Sequence, residues 1–191
     1  MALSLFAGAL YNVWPLGFLL DPDALRGTYI SALEVRSHPH AHLFVLGDVL
    51  AGLLTVAAGW LLRRHRLAGA GLVLFGLGNI LEASIAIEGD CARSVAACGI
   101  GPSAVLAPHD LASIVSIAGL VLALWAVRDR GRWMRAVIAV WAASGLFMVA
   151  SVTFVFWVTV SQASFLVACG IALAAVPFAA CRPPAVPDET A

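Results

Sequence analysis

Long apolar stretches recur along the chain near residues 3–20, 41–62, 68–87, 109–127, 136–158 and 162–180. A helix needs about 20 predominantly apolar residues to cross the hydrocarbon core of a bilayer, and each stretch is of that order. They are too long and continuous for strands. Inside lipid the backbone must satisfy its own hydrogen bonds, so the pattern predicts six transmembrane helices. Among the polar connectors, Glu88–Asp110 (EGDCARSVAACGIGPSAVLAPHD) is the longest interruption. Segment 21–38, DPDALRGTYISALEVRSH, is polar and semi-periodic. It reads as a short helix lying at the outer interface with Tyr29 at headgroup level. Pro39 then suits the first turn of the second span, where its missing N–H costs nothing. Residues 183–191 are Pro-rich and polar and are expected to form a disordered tail. The predicted organisation is all-α: one six-helix transmembrane domain over residues 1–182.

Composition sharpens this picture. Hydrophobic residues make up 62% of 191 and charged residues 12%, with a mean hydropathy of +0.96. A soluble domain carries about a quarter of its residues as charges, so lipid is the expected outer solvent and membrane lipids the expected partners. The formal net charge of zero gives no bulk electrostatic attraction to nucleic acid. All eleven basic residues are Arg, and their placement is uneven. Arg63, Arg64, Arg66, Arg128, Arg130, Arg132, Arg135 and Arg182 fall in connectors on one side of the predicted bundle, whereas Arg26, Arg36 and Arg93 fall on the other. By the positive-inside rule the first group, and with it both termini, faces the cytoplasm. The N-terminal stretch lacks the basic start of a signal peptide, and Trp14-Pro15 interrupts its apolar run. A retained first helix is therefore expected, with a cleaved signal peptide as the alternative.

Ionisable side chains inside a bilayer are costly, so each marks a candidate functional site. At a rise of 1.5 Å per residue, Asp48 sits roughly 10 Å below the outer end of the second span and Glu82 about 8–9 Å below that of the third. Helix four runs inward from His109, which puts Ser113 about 6 Å down and Ser116 about 10 Å. His109 and Ser113 are i,i+4 neighbours on one helix face. Asp48, Glu82, His109 and Ser113 are therefore the candidate residues of an outward-opening polar pocket that binds lipid headgroups or hydrolyses lipid with a metal's help. The alternative class is a non-enzymatic membrane protein for partner binding or envelope organisation, in which the acids hydrogen-bond neighbours such as Asn12, Ser151 or Thr153. Carboxylate and imidazole ligands suit zinc. His42, Asp48 and His109 are the candidate metal set, with His42 the member of the SHPHAH cluster best placed to face inward.

Cys91 and Cys98 lie in the long connector, on the side where disulfides persist. A bridge between them is the expected state and would stabilise by about 2–3 kcal/mol in the chain-entropy model; free thiols and metal ligation are the alternatives. Cys169 and Cys181 read as inert thiols of the last helix and its end. Gly71, Gly76 and Gly78 in the third span read as small residues for close helix packing.

The order of several motifs resembles a bacterial family of proteins of unknown function, DUF998, and its actinobacterial members especially. They are TYISALE before the second span, LFVLGDVLAGLL around Asp48, GLGNILEASIAIEGDC leading to Cys91, the second cysteine Cys98, and the H-x-x-x-S of His109 and Ser113. The resemblance covers residues 28 to 127 and implies a six-helix multi-pass protein of the bacterial cytoplasmic membrane, without implying a reaction. A more distant likeness is to membrane hydrolases that include alkaline ceramidases, in which a Ser, an Asp and histidines surround zinc. That likeness implies such roles for Asp48, His109 and Ser113. The sequence departs from it in having no H-x-x-x-H near its end and no His after His109.

The orientation has a direct test. In a chain whose native cysteines are replaced by serine, a membrane-impermeant maleimide should label Arg93→Cys in intact cells and reach Arg130→Cys only after permeabilisation. The reverse pattern would invert the topology.

Overall fold

The computed structural model describes residues 1–20, 30–34, 38–85, 108–154 and 157–182. All regular structure among them is helical: α1 (Ala2–Leu10), α2 (Pro15–Leu20), a 3-10 helix (Ile30–Glu34), α3 (Ala41–Leu61), α4 (Arg66–Ser84), α5 (Pro108–Val127), α6 (Arg132–Phe154) and α7 (Val158–Ala180). With α1 and α2 taken as one span, six segments are long and apolar enough to cross a membrane. The chain is an all-α, multi-pass membrane bundle. Short turns join α3 to α4 and α5 to α6 at the end where most arginines gather. The start of α3, the end of α4 and the starts of α5 and α7 meet at the opposite, Arg-poor end.

The first span is not the continuous helix that its hydropathy predicts. It breaks between Leu10 and Pro15, because Pro15 offers no N–H and disfavours helical backbone at the residue before it. Backbone polar groups exposed at such a break must find partners within the protein. Tight bonds from Asn12 N to the Ala9 carbonyl (3.1 Å) and from Val13 N to that of Leu10 (3.3 Å) satisfy part of it. The Asn12 side chain does more. Its Nδ2 donates to the carbonyls of Gly8 at 2.9 Å and of Leu166 on α7 at 3.2 Å, and its Oδ1 accepts from Trp14 Nε1 at 3.1 Å.

The described part of segment 21–38 forms a 3-10 helix that packs on the bundle, with Ile30 and Leu33 buried beside Phe44 and packed against Val13, Trp14 and Leu166. In a 3-10 helix residues three apart eclipse one another, so Ile30 and Leu33 form one apolar edge. Ile30 N donates to Gln162 Oε1, which fastens this segment to α7. The last two helices are shifted from their predicted ranges. The α6–α7 turn comes at Trp157, whose φ of 64° is left-handed, in an apolar run with no Gly or Pro to mark it.

Helices α3, α4 and α5 pack over glycine seams. A Cβ on Gly76 would lie 2.5 Å from the Gly52 carbonyl oxygen across α3–α4, and one on Gly71 would lie 2.5 Å from the Ala123 nitrogen across α4–α5. Between helices in lipid, where the solvent is as apolar as the side chains, such close van der Waals contact is a main source of association. Below the seams Phe75, Leu72, Leu120 and Leu173 are buried in a common core. Cys169 belongs to this core and accepts a hydrogen bond from Trp141 Nε1 at 3.3 Å, while Cys181 is exposed.

Gly71→Val should lower the stability of the purified protein by about 2–3 kcal/mol, since the clash is with rigid backbone. Gly145→Ala, whose Cβ would meet only the Phe165 ring at 3.3 Å, should cost less than about 1 kcal/mol. Thermal midpoints in one detergent compare the two.

Candidate functional site

Elements from across the bundle converge at the Arg-poor end on a cavity of about 50 Å³. On this scale it holds a few water molecules. Asp48 enters from the second turn of α3, Asn79 and Glu82 from the last turns of α4, and Glu34 from the 3-10 helix. The break in the first span supplies Tyr11 and Trp14, and α7 supplies Gln162. Each arrives for a local reason. The glycine seam sets α4 against α3, and Asn79 Nδ2 pins that register by donating to the Asp48 backbone oxygen at 2.6 Å. Burial of Ile30 and Leu33 turns Glu34 toward α3.

Two linked groups of polar side chains result. In the first, the carboxyls of Glu34 and Asp48 both line the cavity, near enough for each to act on the other's ionisation. Burial raises the Glu34 acid above the ordinary carboxylate range, opposed by the neighbouring Asp48 carboxyl and by the nearby His109. In the second group, Ser113 Oγ donates to Glu82 Oε1 at 2.5 Å, and His109 Nε2 lies 3.6 Å from the same oxygen. His109 Nδ1 is 3.2 Å from the Glu82 backbone oxygen. With Nδ1–H donating there, the imidazole is held across the end of α4 and faces the carboxylate.

The structure thus brings Glu82, His109 and Ser113 into direct contact and sets Asp48 and Glu82 on one cavity. His42 is exposed on α3 and does not line it. Among the described residues no three His, Cys, Asp or Glu side chains form a group able to hold a metal, so His42, Asp48 and His109 are not gathered into a ligand set. Cys91 and Cys98 lie outside the described residues, as does the Thr153 side chain. The expected partners of the acids differ. Asn12 serves the helix break, and Ser151 Oγ donates to the Phe147 carbonyl on its own helix at 2.8 Å. Ser116 faces α4 rather than the cavity, with Oγ 3.4 Å from the Phe75 carbonyl oxygen. The residue missed by sequence reasoning is Glu34. Its signal was present in TYISALE, where Ile30 and Leu33 mark the inward edge of a segment otherwise read as interfacial.

Ser113 Oγ–H donates to Glu82 and otherwise reaches only the His109 backbone oxygen at 3.2 Å, so its hydroxyl is not hydrogen-bonded to the imidazole. What the arrangement offers instead is three carboxyls around one small space, with no arginine in its lining among the described residues.

The raised Glu34 acid implies a pH dependence of stability. A carboxyl that holds its proton more tightly in the folded protein than in the unfolded chain stabilises fully below the unfolded value, near 4.3, and loses that contribution as pH rises through the folded value. The thermal midpoint should therefore fall across this window, and Glu34→Gln, which cannot ionise, should flatten the fall. An unchanged slope in the variant would remove Glu34 from this role.

Comparison with known proteins supports the architecture and leaves the chemistry to the site. No curated protein and no solved structure matches the chain, and the likeness to membrane hydrolases has no support among them. The model of the family described as Protein of unknown function (DUF998) matches residues 5–182. That range takes in the last five spans, the first from residue 5, and every residue of the cavity, and the chain belongs to this family.

Proposed function

We propose that the chain is a membrane binding protein whose carboxyl-lined cavity takes the primary ammonium of a lipid headgroup. One observation carries this reading: Glu34, Asp48 and Glu82 share a cavity whose lining, among the described residues, has no basic side chain. A primary ammonium presents three donors and no acceptor, which matches three carboxyls better than a phosphate or a sugar would. Trp14 and Tyr11 in the lining add ring faces that attract a cation. Under the positive-inside orientation the cavity opens to the outer leaflet, within reach of headgroups. Headgroup binding is favoured over metal-assisted hydrolysis because Ser113 and His109 are both engaged on Glu82.

Entry of a cation would displace the proton that burial favours on Glu34. Affinity for a short-chain phosphatidylethanolamine in detergent should therefore rise with pH through the range in which Glu34 ionises. Glu34→Gln and Asp48→Asn should each weaken binding by about tenfold or more, equivalent to about 1.4 kcal/mol. Short-chain phosphatidylcholine, whose trimethylammonium cannot donate, should bind more weakly than the primary amine. Absence of saturable binding, with Asp48→Asn changing only the thermal midpoint, would assign the cluster to helix association and favour the non-enzymatic structural class.

A further inference from the structure

A second cavity lies at the opposite, Arg-rich end, between the α3–α4 turn, the end of α5 and the end of α7. Its volume is about 330 Å³, within the range of small-molecule sites. Arg64, His65, Arg66 and Arg130 contribute its polar lining, and no acidic residue does so among the described residues. The remaining wall is apolar: Leu67, Ala68, Ala126, Val127 and Ala180.

The arginines around this cavity differ in their commitments. Arg128 is spent locally, stacked over Trp125 at 3.9 Å, donating to the Trp125 carbonyl at 2.8 Å and pairing with Asp129 at 3.5 Å. Arg182 lies over Phe178 at 4.2 Å. Arg130 Nη1 donates to the Arg182 carbonyl at 2.8 Å, which holds its guanidinium at the cavity while leaving most of its donors open. Arg64 and Arg66 pair with no carboxylate among the described residues and are exposed. Helix α4 starts here with no side chain capping it. Its first N–H groups have no intrahelical acceptor, and its dipole adds positive potential at the same place.

We propose that this cavity binds a phosphate group, and that the group belongs to an anionic membrane lipid. Guanidinium groups match phosphate oxygens in fork geometry, and Arg64, Arg66 and Arg130, which pair with no carboxylate among the described residues, are the complement of a phosphate. The apolar wall decides the source. A soluble phosphate would leave the exposed Leu67 and the half-buried Ala126 uncovered, whereas a lipid lays its glycerol and upper acyl carbons along them. Basic cavities between transmembrane helices are established sites for acidic headgroups. The site is at the far end of the bundle from the carboxyl cavity, so its success or failure is independent of the ammonium-binding proposal.

The test is retention of phosphatidylglycerol by the purified full chain, counted by native mass spectrometry from mixed phosphatidylglycerol–phosphatidylcholine nanodiscs. The wild type should retain phosphatidylglycerol selectively. The triple variant Arg64→Gln, Arg66→Gln, Arg130→Gln should lose at least tenfold in retention. The control Arg63→Gln, Arg132→Gln, Arg135→Gln removes the same charge elsewhere at this end and should retain it, and an unchanged thermal midpoint in lipid-free detergent shows that each variant is folded. Equal loss in both variants would reduce the effect to diffuse attraction and overturn the site, as would a wild type with no preference over phosphatidylcholine. Inorganic phosphate that saturates the wild type and displaces the lipid at millimolar concentration would overturn the lipid assignment.

Discussion

Everything at the Arg-poor end depends on how closely α4 approaches its two neighbours. In water, apolar side chains would drive helices together; in lipid that force is absent, and association rests on contact and on hydrogen bonds. The seams at Gly52–Gly76 and Gly71–Gly119 remove the side chains that would hold the backbones apart. Their consequence is register. With α4 fixed against α3, Asn79 reaches the Asp48 carbonyl. With α4 fixed against α5, Glu82 meets Ser113 and His109. A bulky residue at a seam would separate these pairs by more than a hydrogen bond spans.

The broken first span follows from the same economy. A continuous helix at residues 2–20 would turn its side chains to lipid and to α3 at fixed intervals. The break at Pro15 lets Tyr11 and Trp14 both line the cavity, and Asn12 makes it tolerable by replacing lost backbone partners on α1 and α7. Irregular backbone at membrane depth survives only where protein or a cavity covers it. Here the 3-10 helix provides that cover, and Glu34 comes with it.

Much of this was legible in the sequence. Six apolar runs of spanning length predicted the bundle, and depth arithmetic placed Asp48, Glu82, His109 and Ser113 in one layer, because rise per residue is fixed and the ends of spans are marked by polar residues. Azimuth was not legible. Nothing in the spacing says which face of α3 meets α4, so the pairing of Ser113 with Glu82, and the turning of Ser116 toward α4, required packing. The inward position of Glu34 was hidden because residues 30–34 belong to a polar segment whose composition favours the interface. The α6–α7 turn was hidden for the opposite reason: its residues are as apolar as the helices it joins.

The carboxyl cluster also constrains its own chemistry. Two carboxylates about 4 Å apart repel by about 4 kcal/mol at an effective dielectric of 20, and more where the surroundings are drier. Glu34, Asp48 and Glu82 line one small cavity, so ionising them together works against such repulsion. On the proposed reading, a cation in this space relieves the same repulsion and takes the place of a proton, so the two compete, and by linkage whatever strengthens one weakens the other by the same factor. His109 Nε2 lies 3.6 Å from the Glu82 carboxyl beside this space. On that reading, what occupies the site is set by the acidity on the side to which it opens.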